Sequence, residues 1–180
     1  MKEGLNTETW TGLRNMTWPE TEIPMTHKLH CNIYIASCEE DGGIYRYGLE
    51  ADGQLSFREK VELDRPMYLA IHENKLYAVL RAPFEDSMES GLVDFEIGGD
   101  GRLMNRSGIL STRGQVACHL AVDDSVYCAN YISGSVFKTP EKLLTHTGKG
   151  VHPRRQEAPH THQVVFTPDR KYVCVVDLGL

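Results

Sequence analysis

The stretch PMYLAIHENKLYAVLR, residues 66–81, decides the fold. It reads as a run of strand-forming residues, a polar turn at HENK, and a second run of strand formers. Two later stretches repeat it. ACHLAVDDSVYCANY starts at Ala117 and turns at DD; HTHQVVFTPDRKYVCVVD starts at His160 and turns at TPDRK. The second strands align on Tyr77, Tyr127 and Cys174, and NIYIASC at 32–38 joins them on Tyr34, at intervals of 43, 50 and 47 residues. Self-similarity at this period, with several strands in each period, is the signature of propeller blades.

Working outward, GGIYRY (42–47), SGLVDFEI (90–97) and SGSVFKT (133–139) place glycine before an alternating apolar run and read as third strands. ADGQLSF (51–57) and GDGRLMN (99–105) read as fourth strands entered through Asp-Gly hairpins, in which both central residues take positive φ. No segment sustains a 3.6-residue apolar period, and PEKLLTHT (140–147) offers one helical turn at most. A parallel βαβ fold lacks its crossover helices, so the class is all-β. The expected architecture is a partial β-propeller over residues 25–180, about three to three and a half blades. The first blade lacks its innermost strand, two are complete, and the last stops after two strands. Residues 1–24, with Trp10, Trp18 and WPETEIP, form an irregular extension, and Met25 offers an alternative start.

The 180 residues suffice for a sizeable core, and 41% hydrophobic with 24% charged residues is ordinary for a folded chain. A net charge of −6 argues against nucleic-acid binding, without excluding a small anionic ligand held by local arginines. The cysteines, Cys31, Cys38, Cys118, Cys128 and Cys174, form no CxxC pair and lie mostly in apolar stretches, so reduced core thiols are expected. The acid-containing N-terminus has no apolar core of a signal peptide, and no apolar run approaches a bilayer span. A cytoplasmic location with no membrane contact is expected.

The chain resembles the lactonase-type seven-bladed propellers, the family of bacterial propeller 6-phosphogluconolactonases and a fungal muconate cycloisomerase. The resemblance runs from about Cys31 to Leu180, through the PMYLAI block, ACHLAVDDSVYCANYISGSV, and above all HPRRQEAPHTHQVVFTPDRKYVCVVDLG. It implies hydrolysis of 6-phosphoglucono-1,5-lactone to 6-phosphogluconate in the pentose phosphate pathway, with no metal or organic cofactor. It also implies a substrate site at one end of the central channel, near the start of the inner strands. His162 matches the family's recurring histidine before an inner strand and takes the catalytic role. Arg155 and His160 are carried as substrate contacts.

Lactone opening needs an activated water, charge stabilisation at the carbonyl oxygen, and cations for the phosphate. His160 and His162, two apart, share a face if the strand is regular. Arg154, Arg155, Gln156 and Glu157 lie just before them. Arg154 and Glu157 therefore join the candidate substrate contacts, as do His119 and Asn130 one blade earlier, which equally suit structural or channel-lining roles. Other readings remain open: a hydrogen-bonded inner-strand His162, a solvated arginine turn, and a metal held by His160, His162 and His152. Neighbouring arginines oppose the last.

Family members run to about twice this length and carry a GPRH-type block and an NE pair in later blades; neither occurs in these 180 residues. A truncated gene product is the plainer reading, nearly inactive alone because one missing positioned group costs ~10²–10⁴ in rate. The alternative is a non-catalytic module or half-ring that binds a protein partner or self-associates through open blade edges.

Overall fold

The computed structural model describes residues 31–81 and 87–180. The expected extension at 1–24 and the start at Met25 lie outside the described residues.

Strands β1 (Cys31–Ser37), β2 (Gly43–Leu49) and β3 (Leu55–Glu62) form a three-stranded sheet in chain order. The next sheet runs β4 (Pro66–His72), β5 (Lys75–Leu80), β6 (Gly91–Ile97), β7 (Leu103–Met104), with β8 (Leu110–Ser111) also pairing with β6. A four-stranded sheet follows from β9 (Ala117–Val122), β10 (Val126–Asn130), β11 (Ser135–Lys138) and β12 (Lys142–Thr145). Last come β13 (Thr161–Phe166) and β14 (Val173–Asp177). All pairings are antiparallel. The blade order is the one the repeat predicts, with three strands in the first sheet, four in the third and two in the last; the second sheet gains a fifth strand, β8, that the repeat does not mark.

The core lies between blades, because the second strands of the two middle blades, β5 and β10, are buried on both faces. Leu76, Ala78 and Leu80 of β5 pack with Ile44, Val93 and Phe95 against the first blade. Tyr77 and Val79 face the other way, toward Leu120, Cys128 and Phe137 of the third. In β10, Val126 and Cys128 look back while Tyr127 and Ala129 look forward onto Val164 of β13. The aligned tyrosines Tyr34, Tyr77 and Tyr127 thus repeat one packing role at successive interfaces.

Two local expectations need correction. Residues 142–145 are strand β12, not a helical turn, since Leu143 pairs opposite Phe137 and packs into the interface behind it. The Asp-Gly hairpins have positive φ at Gly53 (82°) and Gly101 (85°) but not at the aspartates. Gly53 N–H donates to the Glu50 carbonyl and Glu50 N–H to that of Gln54, the pattern of a type I turn closed by a left-handed glycine. The Asp52 carboxylate accepts from Gln54 N–H, which fixes the aspartate in the turn without positive φ.

The inner strands share a feature that places the site. Each carries a bulge at its second residue: Met67 between Pro66↔Leu80 and Tyr68↔Val79, Cys118 between Ala117↔Asn130 and His119↔Ala129, His162 between Thr161↔Asp177 and Gln163↔Val176. A bulge leaves one residue unpaired and re-aims side chains beside it. The aligned blocks PMYLAI, ACHLAV and THQVVF therefore present Met67, Cys118 and His162 at equivalent points on one rim.

Candidate active site

The rim is built the same way in three blades. The residue after each second strand donates its N–H to the residue before the inner strand: Arg81 to the Arg65 carbonyl (3.0 Å), Tyr131 to Val116 (3.0 Å) and Leu178 to His160 (2.9 Å). Arg65 and Val116 sit at left-handed φ, 43° and 56°. For a β-branched valine that conformation is strained, and it persists because the surrounding bonds hold it.

His162 lies at the bulge of β13 with its side chain exposed. Its ring and that of Tyr131 meet edge to face, with centroids 6.0 Å and planes 79° apart. The Cys118 thiol donates to the His162 carbonyl at 3.4 Å, tying the bulge to the preceding inner strand. His160 is not its partner on a shared strand face. It precedes β13, is buried, and the bulge at His162 breaks the regular alternation on which that expectation depended.

His160 stacks on Tyr131, with centroids 4.7 Å and planes 14° apart. Its Nδ1 faces the Tyr131 carbonyl at 3.2 Å and its Nε2 the Glu157 carboxylate at 3.1 Å. Both neighbours are acceptors, so only the imidazolium satisfies both at once. The backbone amide of Glu157 and the His160 ring hold the Glu157 carboxyl below its usual range. Glu157 thus serves His160 in this structure. With both His160 nitrogens engaged, the residues present do not fit a metal held by His160, His162 and His152, and the His152 Nδ1 accepts from Arg154 N–H at 3.4 Å.

Beneath His160 lies a carboxylate that the sequence reading passed over. Asp177 Oδ1 accepts the backbone N–H groups of His160 and Gly179, each at 2.8 Å, and Oδ2 lies 2.7 Å from His146 Nδ1. Burial works to raise its carboxyl, but the His160 amide, the His146 ring and the Gly179 amide hold it below the ordinary range. Asp177 pairs with Thr161, immediately beside the bulge. Its place in an apolar strand end, VCVVD, gave no signal of this role, and Tyr131 and His146 carried none either.

His119 lies one blade earlier. Its ring stacks on Tyr68 at 4.1 Å, and its Nδ1 accepts the Val164 N–H across the interface at 3.5 Å. Burial lowers its pKa, and the charge of His162 lowers it further. The ring is therefore neutral at neutral pH, with its proton on Nε2. Asn130, expected as a substrate contact, is fully buried. Its amide donates to the Thr112 carbonyl (3.0 Å) and Ser135 Oγ (3.2 Å), so it pins the interface and has no access to a ligand. Arg154 and Arg155 are exposed in the turn before His160; Arg155 N–H donates to the His152 carbonyl at 3.3 Å.

The thiols are all free, yet only Cys128 is a core residue. Cys31 and Cys174 are exposed, the latter on the face of β14 opposite Val173 and Val175, which pack on the third blade. A cleft of about 410 Å³ lies away from the rim, between the first two blades. Its arginines already face acids: Arg46 meets Glu59 at 2.7 Å, Arg58 meets Glu50 at 2.7 Å and Arg102 meets Asp100 at 3.5 Å. Among the described residues no helix is long and apolar enough to cross a membrane.

A model of the lactonase, 7-bladed beta-propeller family matches residues 32–180. The chain is 33% identical to the 6-phosphogluconolactonase of Bacillus subtilis, over 82% of this chain and 46% of that protein. It is 30% identical to an uncharacterized Staphylococcus epidermidis protein, over 76% of this chain and 44% of the relative. The crystal structure of a candidate 6-phosphogluconolactonase from Bacteroides fragilis superposes with a TM-score of 0.69 at 25% identity, covering 82% of this chain and 46% of that one. The periplasmic gluconolactonase of Pseudomonas aeruginosa shares the fold, with a TM-score of 0.69 at 22% identity, over 82% of this chain and 47% of that one. The chain spans about half the length of the curated relatives it matches.

Proposed function

The chain belongs to the lactonase family of seven-bladed β-propellers, and on that premise we propose that it forms part of a hydrolase opening 6-phosphoglucono-1,5-lactone to 6-phosphogluconate. The Bacillus subtilis and Bacteroides fragilis relatives support this substrate. The observation that carries the reading is His162, an exposed imidazole aimed by a bulge at the rim where three inner strands begin.

In this reading His162 accepts a proton from water as the water oxygen bonds to the lactone carbonyl carbon. The carbonyl oxygen takes up the negative charge. When the tetrahedral intermediate collapses, the ring C–O bond breaks and the His162 imidazolium returns its proton to the departing oxygen. The neutral His119, with its proton on Nε2, is suited to donate a hydrogen bond toward the developing oxyanion. Arg154 and Arg155 supply cations near the same turn. The reaction places the protein in the pentose phosphate pathway, and the exposed free thiols of Cys31 and Cys174 suit a reducing cytoplasm.

The family's arginine and glutamate blocks of later blades do not occur in these 180 residues. Hydrolysis by the 180-residue chain is therefore weak, ~10²–10⁴ below a site with its full set of groups. The test follows proton release from freshly prepared lactone with the chain, with His162→Ala, and with buffer alone. A small excess over buffer that vanishes in His162→Ala supports the reading. Three equal rates remove it.

A further inference from the structure

We propose that Arg81 is the contact for the phosphate of the ligand, reaching across the channel rim toward the site of His162. The identity of the ligand rests on the function proposed above; the placement of Arg81 does not.

The repeated rim carries the argument. Arg81 occupies on the second blade the position that Tyr131 occupies on the third: first residue after the second strand, N–H bonded to the residue that enters the inner strand. Tyr131 from that position reaches the next blade's bulge residue, His162. The same step from Arg81 leads to the next blade's bulge residue, Cys118, whose sulfur is 3.4 Å from the His162 carbonyl. The hydrogen-bonded frame agrees. Ser90 Oγ donates to the Arg81 carbonyl at 3.1 Å and accepts the N–H of Ala117, next to Cys118, at 2.9 Å. Burial raises the Cys118 thiol to about 11 against a downward pull from the Arg81 guanidinium, which lies near enough to act on it.

Both backbone polar groups of Arg81 are thus tied down while its side chain is exposed. The point from which the side chain leaves the rim is thus fixed, and its guanidinium suits a planar, multiply bonded anion. Arg65, whose carbonyl accepts the Arg81 N–H, faces Glu40 at 3.6 Å and Asp64 at 3.4 Å; Arg81 has no such carboxylate among the described residues. Arg154 and Arg155 lie in the turn before His160, bonded within itself through His152 and Gln156 and to the chain end through Gln156 and the Leu180 carbonyl. One blade separates Arg81 from His162, as suits a ligand whose phosphate and reacting carbon lie at opposite ends.

The experiment titrates 6-phosphogluconate and gluconate into the full 180-residue chain, into Arg81→Met and Arg81→Lys, and into the exposed control Arg106→Met, by calorimetry. Gluconate carries the carboxylate without the phosphate, so it separates the two anionic groups. The wild type should prefer 6-phosphogluconate about tenfold or more. Arg81→Met should erase that preference while leaving gluconate binding and the thermal midpoint unchanged. Arg81→Lys should keep part of it and Arg106→Met all of it. A preference that survives in Arg81→Met, or a wild type that binds both ligands equally or neither, overturns the proposal. Binding that behaves as expected in a chain with no hydrolysis would sink the catalytic role of His162 and leave Arg81 standing.

Discussion

Asp177 holds His160 by its backbone rather than by its ring: the carboxylate accepts the His160 N–H at 2.8 Å with one oxygen and meets His146 Nδ1 at 2.7 Å with the other. One side chain thereby ties the last described strand, the entry to the inner strand, and the segment that follows β12. Asp177→Ala leaves two amide donors without their acceptor and should cost about 1–3 kcal/mol in urea unfolding. A change under about 0.5 kcal/mol would contradict this. Because the folded carboxyl is held below its ordinary value, the stability it contributes is complete above that value. It is lost as pH falls through the carboxylate range, below about pH 4. Asp177→Asn should flatten that part of the stability–pH curve.

His119 should titrate below an ordinary histidine, because its ring is partly buried and His162 lies near it. Burial sets His119 below the ordinary 6.5, with the His162 charge adding to the effect. The NMR titration of the His119 ring should therefore have a midpoint below 6.5, and it should move upward in His162→Ala as the repulsion disappears. An unmoved midpoint would show that the two rings do not sense each other. His119 takes up its proton more readily unfolded than folded, so its contribution to stability is full above pH 6.5 and declines as the pH is lowered.

Gly134 is fixed by backbone and space together. It sits at φ 54°, and a Cβ there would meet Pro159 Cβ and the Pro159 carbonyl at 2.6 Å. Gly134→Ala should destabilise the chain by about 1–3 kcal/mol, read as a lowered thermal midpoint. An unchanged midpoint would mean that the β10–β11 turn does not press on the segment entering β13.

Alkylation followed by mass spectrometry should order the thiols by exposure. Cys31 and Cys174 are exposed and should react first; Cys118, half-buried and pushed up to about 11, should lag well behind. Cys128, buried at the interface of the second and third blades, should react only on unfolding. Early modification of Cys128 would contradict the packing.

The blades were legible because the constraint on them is collective. A second strand buried on both faces must be apolar over its middle, as in LYAVL and VYCA, and its turn must be polar, so each period writes itself twice. The partial first and last blades followed from counting strands. The turn chemistry was half legible: Asp-Gly marked the hairpins, but whether the aspartate takes positive φ depends on its own carboxylate accepting from Gln54. At 142–145 a short strand of KLLT was indistinguishable from a helical turn until its pairing with β11 was known.

The site was harder. His162 was found through the resemblance of its block, not through geometry. A regular strand would have set it beside His160 on one face, and the bulge that separates them arises from pairing with Asp177 and Val176, which spacing alone does not encode. Asn130 looked like a channel residue because it shares the inner-strand region with His119. It is sealed instead by Thr112, just past β8, and by Ser135 of β11. Tyr131 carries no motif of its own; its role follows from its place after β10, equivalent to Arg81 and Leu178 on the neighbouring blades.

The most direct test of the central claim, that ligand binds at the rim beside His162, is to follow the histidine ring signals while 6-phosphogluconate is added to the full chain. The account predicts progressive shifts at His162 and His119, with His72, at the far end of β4, unmoved. Shifts at His72 with none at His162 and His119, or no histidine shift at saturating ligand, would contradict it.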